Sequence, residues 1–212
     1  MSNDGPIVIA TNRLEGELRV HEQASGLVVF AHGSGSSRNS RRNQQVAQTL
    51  QQHGLGTLLF DLLTPREADD RHKVFDIALL GQRVLEALDA LPSPARDLPL
   101  GLFGASTGAA AALVAAASRP ETVQAVVSRG GRPDLAGEHL GRVRAATLLI
   151  VGGSDTEVLE LNREAYALLR CEKRIEVVPR ATHLFEEAGT LDTVARLASE
   201  WFVGHLRPRP VG

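Results

Sequence analysis

The chain has 212 residues, of which 43% are hydrophobic, and its formal net charge is −2. A chain of this length and apolar content can bury one substantial core, so we expect a single domain over residues 1–212. The near-neutral charge, without a basic stripe interleaved with aromatic residues, argues against a nucleic-acid-binding protein.

Apolar runs and turn-forming segments alternate along the chain. Residues 6–10 and 17–22 predict a hairpin at the edge of a sheet. Further strands are expected at 27–31, 56–60, 98–103, 123–128, 146–151 and 174–178, and helices at 42–53, 74–91, 107–118, 157–169 and 190–206. The alternation predicts the α/β class, with a mostly parallel, doubly wound sheet covered by helices on both faces.

The first central strand is followed by a His-Gly loop, residues 32–37. The loop lacks the Lys-Ser/Thr ending of a P-loop and the spacing of a dinucleotide-binding fingerprint, which argues against phosphate binding. If a nucleophile lies nearby, a loop of this type can direct a backbone N–H, here that of Ser34, at an oxyanion. We interpret His32 as a residue that braces the loop.

Two connections between predicted elements bear on access to a cleft. Residues 64–73 are the most charged stretch of the chain, and we interpret them either as a mobile loop beside the cleft or as a solvated linker. Residues 129–145 are too few to form a large lid domain, so we expect an open cleft. In that connection, Arg129 and Arg132 either hold a substrate carboxylate through bidentate contacts or bond loop carbonyls.

Ser106 is the central residue of a G-x-S-x-G pentapeptide, residues 104–108, between a predicted strand and an alanine-rich helix. The pentapeptide alone is a weak signal, because a plain Gly-Ser turn has the same sequence. Between a buried strand and a helix, however, it predicts a nucleophile elbow that exposes the Ser106 hydroxyl. The N–H that follows a nucleophile of this kind, here that of Thr107, contributes to an oxyanion hole.

A serine nucleophile needs a neutral imidazole to take its proton and a carboxylate to orient that imidazole. Asp155 follows the predicted strand 146–151, and His183 follows the last predicted strand. The chain order Ser106, Asp155, His183 matches that of α/β-hydrolase triads. Two alternatives to Asp155 as the triad acid remain open. In one, Asp155 only caps the next helix; in the other, Asp134 is the acid.

These segments together resemble α/β-hydrolases of the dienelactone-hydrolase-like family over nearly the whole chain. The motifs that carry the resemblance lie at strand ends and in the elbow: 32–37 (His-Gly-Ser-Gly-Ser-Ser), 60–63 (Phe-Asp-Leu-Leu), 104–108 (Gly-Ala-Ser-Thr-Gly), 128–134 (Ser-Arg-Gly-Gly-Arg-Pro-Asp) and 181–185 (Ala-Thr-His-Leu-Phe). Dienelactone hydrolases proper use a cysteine nucleophile, whereas this position is Ser106. The resemblance therefore implies the fold and ester hydrolysis, but not the dienelactone substrate.

The remaining features indicate where the protein acts and what it needs. The first residues lack the pattern of a signal peptide and no apolar run is long enough to cross a membrane, so we expect no membrane association. The single cysteine, Cys171, excludes an internal disulfide and fits a cytoplasmic location. The His and acidic residues show no ligand spacing such as H-E-x-x-H, so we expect neither a metal nor an organic cofactor.

The sequence thus predicts a serine esterase that cleaves small soluble carboxylic esters or lactones through an acyl-enzyme, as a monomer or homodimer. A thioesterase or acyltransferase would use the same residues. The alternative from another class is a non-catalytic protein of this fold that binds a small molecule or a phosphoribosyltransferase partner, since similar proteins also occur fused to phosphoribosyltransferase domains. An intact triad argues against that alternative.

Overall fold

The computed structural model describes residues 4–9 and 12–208. Its strands are β1 (Gly5–Ile9), β2 (Leu14–Arg19), β3 (Leu27–Ala31), β4 (Gly56–Phe60), β5 (Leu100–Ala105), β6 (Val123–Arg129), β7 (Ala146–Gly152) and β8 (Lys173–Val178). Its α-helices are α1 (Arg41–Gln52), α2 (Pro65–Ala68), α3 (Arg71–Val74), α4 (Ile77–Asp89), α5 (Thr107–Ser118), α6 (Thr156–Leu168) and α7 (Thr190–His205). Segments of 3₁₀ helix lie at Ala95–Asp97 and Pro133–Arg142.

The eight strands form one sheet in the order β1-β2-β4-β3-β5-β6-β7-β8. Strands β3 to β8 pair in parallel, and the β1–β2 hairpin joins the edge of β4 in the antiparallel direction. This arrangement confirms the predicted mostly parallel α/β sheet. In such a sheet the carboxyl ends of the central strands meet along one edge, which is where ligands bind in open α/β folds.

Two apolar layers cover the sheet, because the central strands carry apolar side chains on both faces. On one face, residues such as Val29 and Leu102 pack against α4 and α5. On the other face, Phe30 and Phe103 stack with ring centroids 4.8 Å apart and belong to the layer formed with α1 and α7. Burial on both faces explains why these strands read as continuous apolar runs rather than as alternating ones.

The structure corrects two of the predicted elements. Strand β2 begins at Leu14, three residues before the predicted 17–22 strand, because Leu14, Gly16 and Leu18 are the residues that face inward. Residue 10 of the predicted first strand lies outside the described residues. The predicted helix 74–91 is divided, since the Asp76 side chain accepts a hydrogen bond from Leu79 N–H and thereby starts α4 at Ile77.

The charged segment 64–73, predicted to be a mobile loop beside the cleft or a solvated linker, is instead largely helical. It forms α2 and most of α3. Thr64 and Glu67 make a reciprocal capping box at the start of α2, in which each side chain bonds the backbone N–H of the other. Arg83, on α4, bonds Glu67 at 3.1 Å and so ties this segment to the core. We name residues 64–74 the α2–α3 cap.

The connection between β6 and β7 is short and is described throughout. It contains the 3₁₀ segment Pro133–Arg142, interrupted at Gly137, where φ is +53°. No separate domain is inserted there, which agrees with the prediction that this connection forms no large lid.

Candidate active site

Ser106 occupies a sharp turn between β5 and α5. Its backbone angles are φ +52° and ψ −125°, a region that non-glycine residues rarely adopt. The two flanking glycines make the turn possible: a Cβ on Gly104 would lie 2.4 Å from Ala109 Cα, and one on Gly108 would lie 2.2 Å from Ala31 O. This strand–turn–helix geometry is the structural context that a nucleophile elbow requires.

His183 and Asp155 are joined by a hydrogen bond, with 2.7 Å between His183 Nδ1 and Asp155 Oδ2. Asp155 stands at the N-cap position of α6, yet its side chain makes no capping hydrogen bond and contacts His183 instead. Asp134, the alternative acid, is bonded through both carboxylate oxygens to Arg132. Asp155 is therefore the carboxylate that His183 contacts.

The loop after β8 carries His183 to the elbow. A Cβ on Gly130 would lie 2.8 Å from His183 O, and the preceding residue, Arg129, accepts a hydrogen bond from Ser106 N–H at 3.4 Å. The loop is fixed by a bond from Thr182 N–H to the Glu187 carboxylate, which lowers the pKa of Glu187. The predicted triad residues thus lie at one edge of the sheet.

The Ser106 hydroxyl makes no hydrogen bond to His183 among the residues that the structure describes. His183 is 38% exposed at its side chain and Asp155 is 17% exposed, so the imidazole faces the cleft while the carboxylate lies behind it. Because Asp155 accepts the hydrogen on Nδ1, the Nε2 atom is the one left to accept a proton. Bonds between nucleophile and base are often long in ligand-free hydrolases.

The His-Gly loop lies directly against the elbow. A Cβ on Gly33 would come within 2.8 Å of Ser106 Cβ. The Ser34 N–H donates a hydrogen bond to Thr107 Oγ1 at 3.0 Å, so the two residues predicted to form an oxyanion hole contact each other. Thr107 is the first residue of α5, where a backbone N–H has no acceptor within the helix.

His32 braces this loop, as we predicted. Its Nε2 accepts a hydrogen bond from Leu62 N–H at 3.0 Å, which requires the hydrogen to be on Nδ1. Nδ1 then donates to Gly33 O at 3.0 Å. Burial lowers the pKa of His32 despite the opposing effects of Gly33 and Asp61. The neutral ring therefore connects the loop after β3 with the segment after β4.

The two arginines that we predicted to hold a substrate carboxylate or to bond loop carbonyls have different surroundings. Arg129 is 7% exposed, and its Nε and Nη1 atoms are buried without a hydrogen-bond partner. Burial, together with the nearby Arg42, lowers the pKa of Arg129 to about 10. Arg132 is held by Asp134 at 2.9 and 2.8 Å, which raises its pKa. A substrate carboxylate would have to displace Asp134 or reach a buried guanidinium, and this role remains a prediction.

A cavity of about 290 Å³ opens beside the His-Gly loop. Its polar side is the loop itself, and its apolar side is formed mainly by residues of the α2–α3 cap and its neighbours: Leu62, Leu63, Pro65, Ala68, Val74 and Leu80. Sequence reasoning did not find these residues. The only available signals were the Leu62-Leu63 pair after β4 and the position of the charged segment between two strands.

Within the described ranges, no group of three or more His, Cys, Asp or Glu residues could hold a metal ion. A search of the same residues found no helix with the length and hydropathy needed to cross a membrane.

The fold and the elbow are those of an α/β-hydrolase, and comparison with known sequences gives the same class. The sequence profile of the alpha/beta hydrolase domain family matches residues 24–194, so the chain belongs to that family. A crystal structure of a dienelactone hydrolase from Anabaena variabilis ATCC 29413 is 53% identical, with a TM-score of 0.93, and the match covers 98% of this chain and 99% of that one. The predicted dienelactone-hydrolase-like family is thereby confirmed.

Two further comparisons differ in what they show. A protein of Mycobacterium tuberculosis (strain H37Rv) named "Putative phosphoribosyl transferase Rv0571c" is 57% identical over 98% of this chain. The chain spans 46% of that relative's length, so the name describes a much longer protein. Est1E from Butyrivibrio proteoclasticus is 15% identical with a TM-score of 0.80, over 94% of this chain and 98% of that one, which shows the shared fold alone.

Proposed function

We propose that the protein is a serine hydrolase of small carboxylic esters or lactones. In this proposal Ser106 is the nucleophile, His183 is the general base, and the Asp155 carboxylate orients the imidazole of His183. The observation that carries this proposal is the 2.7 Å bond between His183 and Asp155. A residue at a helix N-cap normally bonds the backbone of its own helix. Asp155 bonds an imidazole 28 residues away instead, as an orienting acid must.

The reaction would follow from the arrangement of the three side chains. His183 Nε2 removes the hydroxyl proton as Ser106 Oγ attacks the ester carbonyl carbon, and the carbonyl oxygen becomes the oxyanion. The imidazolium then gives that proton to the leaving alkoxide as the C–O bond breaks, which leaves an acyl-enzyme. A water molecule, deprotonated by the same nitrogen, hydrolyses the acyl-enzyme and restores Ser106. Asp155 stays ionised throughout and stabilises the imidazolium.

The backbone N–H groups of Ser34 and Thr107 would stabilise the oxyanion. Both belong to segments that touch Ser106, and Gly33 allows the His-Gly loop to approach it. Fixed backbone donors are effective in this role because they need no reorganisation when the charge develops.

The acyl group of the substrate would lie in the cavity between the His-Gly loop and the α2–α3 cap. The cavity begins at Gly33, next to the nucleophile, and its inner side is apolar. Its volume of about 290 Å³ is at the lower end of the range of about 300–1,000 Å³ that is usual for drug-sized ligands. This size supports a small substrate rather than a long-chain lipid.

The test combines turnover with covalent labelling. The wild-type protein is assayed with p-nitrophenyl esters, activated lactones and acyl thioesters, and intact mass spectrometry records the adduct formed with a fluorophosphonate. We expect ester or lactone turnover and one adduct, absent from Ser106→Ala. Turnover of thioesters alone would assign a thioesterase. If the wild-type protein neither reacts with the fluorophosphonate nor turns over any of these substrates, the proposal is rejected in favour of a non-catalytic protein of this fold.

A further inference from the structure

The side chain of Thr107 has a feature that the proposed mechanism does not use. Its Oγ1 accepts the Ser34 N–H at 3.0 Å, which is the same N–H proposed to stabilise the oxyanion. One proposed donor of the hole therefore already bonds a hydroxyl oxygen in this structure.

The hydroxyl hydrogen of Thr107 is free to serve as a donor. A threonine hydroxyl can accept and donate at the same time. Within the part of the chain that the structure describes, Thr107 Oγ1 donates to no acceptor, although the residue is only 4% exposed. A hydroxyl that is nearly buried and has an unused hydrogen favours an acceptor supplied by a ligand.

The oxyanion of the proposed reaction is an acceptor of this kind. An oxygen held by both the Ser34 and Thr107 N–H groups must lie about 3 Å from each nitrogen. Thr107 Oγ1 is 3.0 Å from Ser34 N and belongs to the same residue as the second N–H, so it borders the same small space. An oxyanion there meets either a hydroxyl lone pair, which repels it, or a hydroxyl hydrogen, which stabilises it.

We infer that the Thr107 hydroxyl is a third donor of the oxyanion hole: it accepts the hydrogen bond from Ser34 N–H and donates its own hydrogen to the oxyanion in the transition state. This inference rests on the proposed function. The bond is charge-assisted only when the oxyanion has formed, so it acts on the chemical step and not on substrate binding.

The test compares two substitutions at one position. Thr107→Val keeps the shape of the side chain and removes the hydroxyl, whereas Thr107→Ser keeps the hydroxyl. With p-nitrophenyl butyrate, we expect Thr107→Val to lower kcat at least tenfold with KM within threefold, and Thr107→Ser to recover most of that loss because it keeps the hydroxyl. An unchanged or raised kcat in Thr107→Val would overturn the inference, because it would mean that the hydroxyl only blocks Ser34.

A second measurement does not depend on turnover. Butylboronic acid adds to a serine hydroxyl and places a boronate oxygen where the oxyanion forms, and calorimetry measures its Kd. We expect the Kd to rise at least fivefold in Thr107→Val but not in Thr107→Ser. An equal Kd in both variants rejects the third donor while leaving the proposed function intact. Wild-type protein that neither turns over esters nor binds the boronate would reject both proposals.

Discussion

His183 Nδ1 lies 2.7 Å from Asp155 Oδ2, although the two residues are 28 positions apart and follow different strands. The bond withdraws Asp155 from the N-terminus of α6, where its side chain caps nothing. It also fixes the tautomer of His183, since a carboxylate accepts hydrogen bonds only. Consequences for activity and stability follow from this relationship and from the elbow beside it.

Replacing the nucleophile should separate activity from stability. Ser106→Ala is expected to lose nearly all ester hydrolysis and remain folded, whereas Ser25→Ala, at an exposed serine outside the cleft, should keep wild-type rates. Ser106→Gly should be equally inactive but more stable than Ser106→Ala by about 1 kcal/mol, because a positive φ costs about 1–3 kcal/mol for residues with a Cβ. Hydrolysis rates and urea unfolding give both readouts. Residual activity above a few per cent in Ser106→Ala would refute the elbow assignment.

The acid can be tested by paired substitutions. Asp155→Asn is expected to lower kcat by roughly 10⁴, because an amide at this position favours the wrong imidazole tautomer. Asp134→Asn removes the partner of Arg132 and should change kcat by less than threefold. Steady-state kinetics on one ester compares the two variants. A larger loss in Asp134→Asn would show that the acid lies at the end of β6.

The cavity beside Gly33 predicts the acyl preference. We expect kcat/KM to peak between acetyl and butyryl esters and to fall for octanoyl and palmitoyl esters, since carbons beyond the cavity gain little of the roughly 0.8 kcal/mol available for each buried methylene. Val74 lines the cavity and is half-buried. Val74→Ala should therefore shift the optimum to longer chains and Val74→Phe to shorter ones.

The control for this series is Phe75→Ala, at an exposed neighbour that does not line the cavity. It should leave the chain-length profile unchanged. A wild-type optimum at octanoyl or longer, with substrates kept below their micelle concentrations, would contradict the assignment of the acyl group to this cavity.

The α2–α3 cap depends on Glu67. Burial alone would raise the pKa of Glu67, but hydrogen bonds from Thr64 and the charges of Arg83 and Lys73 outweigh it and lower the pKa. Glu67→Ala removes the capping box and the bond to Arg83, so the wall of the cavity should loosen. We expect KM to rise severalfold with kcat within twofold. The control is Glu86→Gln, because Glu86 also bonds Arg83 but lies on α4, and it should leave KM unchanged. Equal changes of KM in the two variants would contradict a role of the α2–α3 cap in substrate binding.

His32 should make stability depend on pH. Its pKa is lowered from 6.5 by burial, so the unfolded chain binds more protons than the folded one below about pH 6.5. The stabilisation is therefore fully present above pH 6.5 and is lost as the pH falls toward the lowered pKa. Protonation also removes the acceptor for Leu62 N–H.

Urea unfolding between pH 7.5 and 5 measures this effect. His32→Gln should be less stable at pH 7.5 and show a shallower pH dependence than the wild type. His53→Gln, at an exposed histidine that ends α1, is the control and should preserve the wild-type slope. A slope unaffected by His32→Gln would assign the pH dependence to other groups.

Sequence alone determined the order of the strands and of the longer helices, and the position of the sharp turn at Ser106. Apolar runs on both faces require a doubly covered parallel sheet, and the glycines around Ser106 require a close turn, because both signals are local. The structure and the comparisons with known proteins confirm the predicted fold and family. The roles of Ser106, Asp155 and His183 remain predictions that the geometry supports.

Only the tertiary structure decided which distant groups meet. Asp155 and Asp134 both follow strands, so the sequence favoured Asp155 but kept Asp134 as an alternative. The loop after β8 brings His183 to Asp155, whereas Arg132 bonds Asp134. The helices of the α2–α3 cap were missed because its many charged residues are typical of a loop. The contact that ties the cap to the core joins Glu67 to the buried Arg83, 16 residues away. Long-range contacts of this kind depend on the packing of the whole sheet, which a pattern over a few residues does not contain.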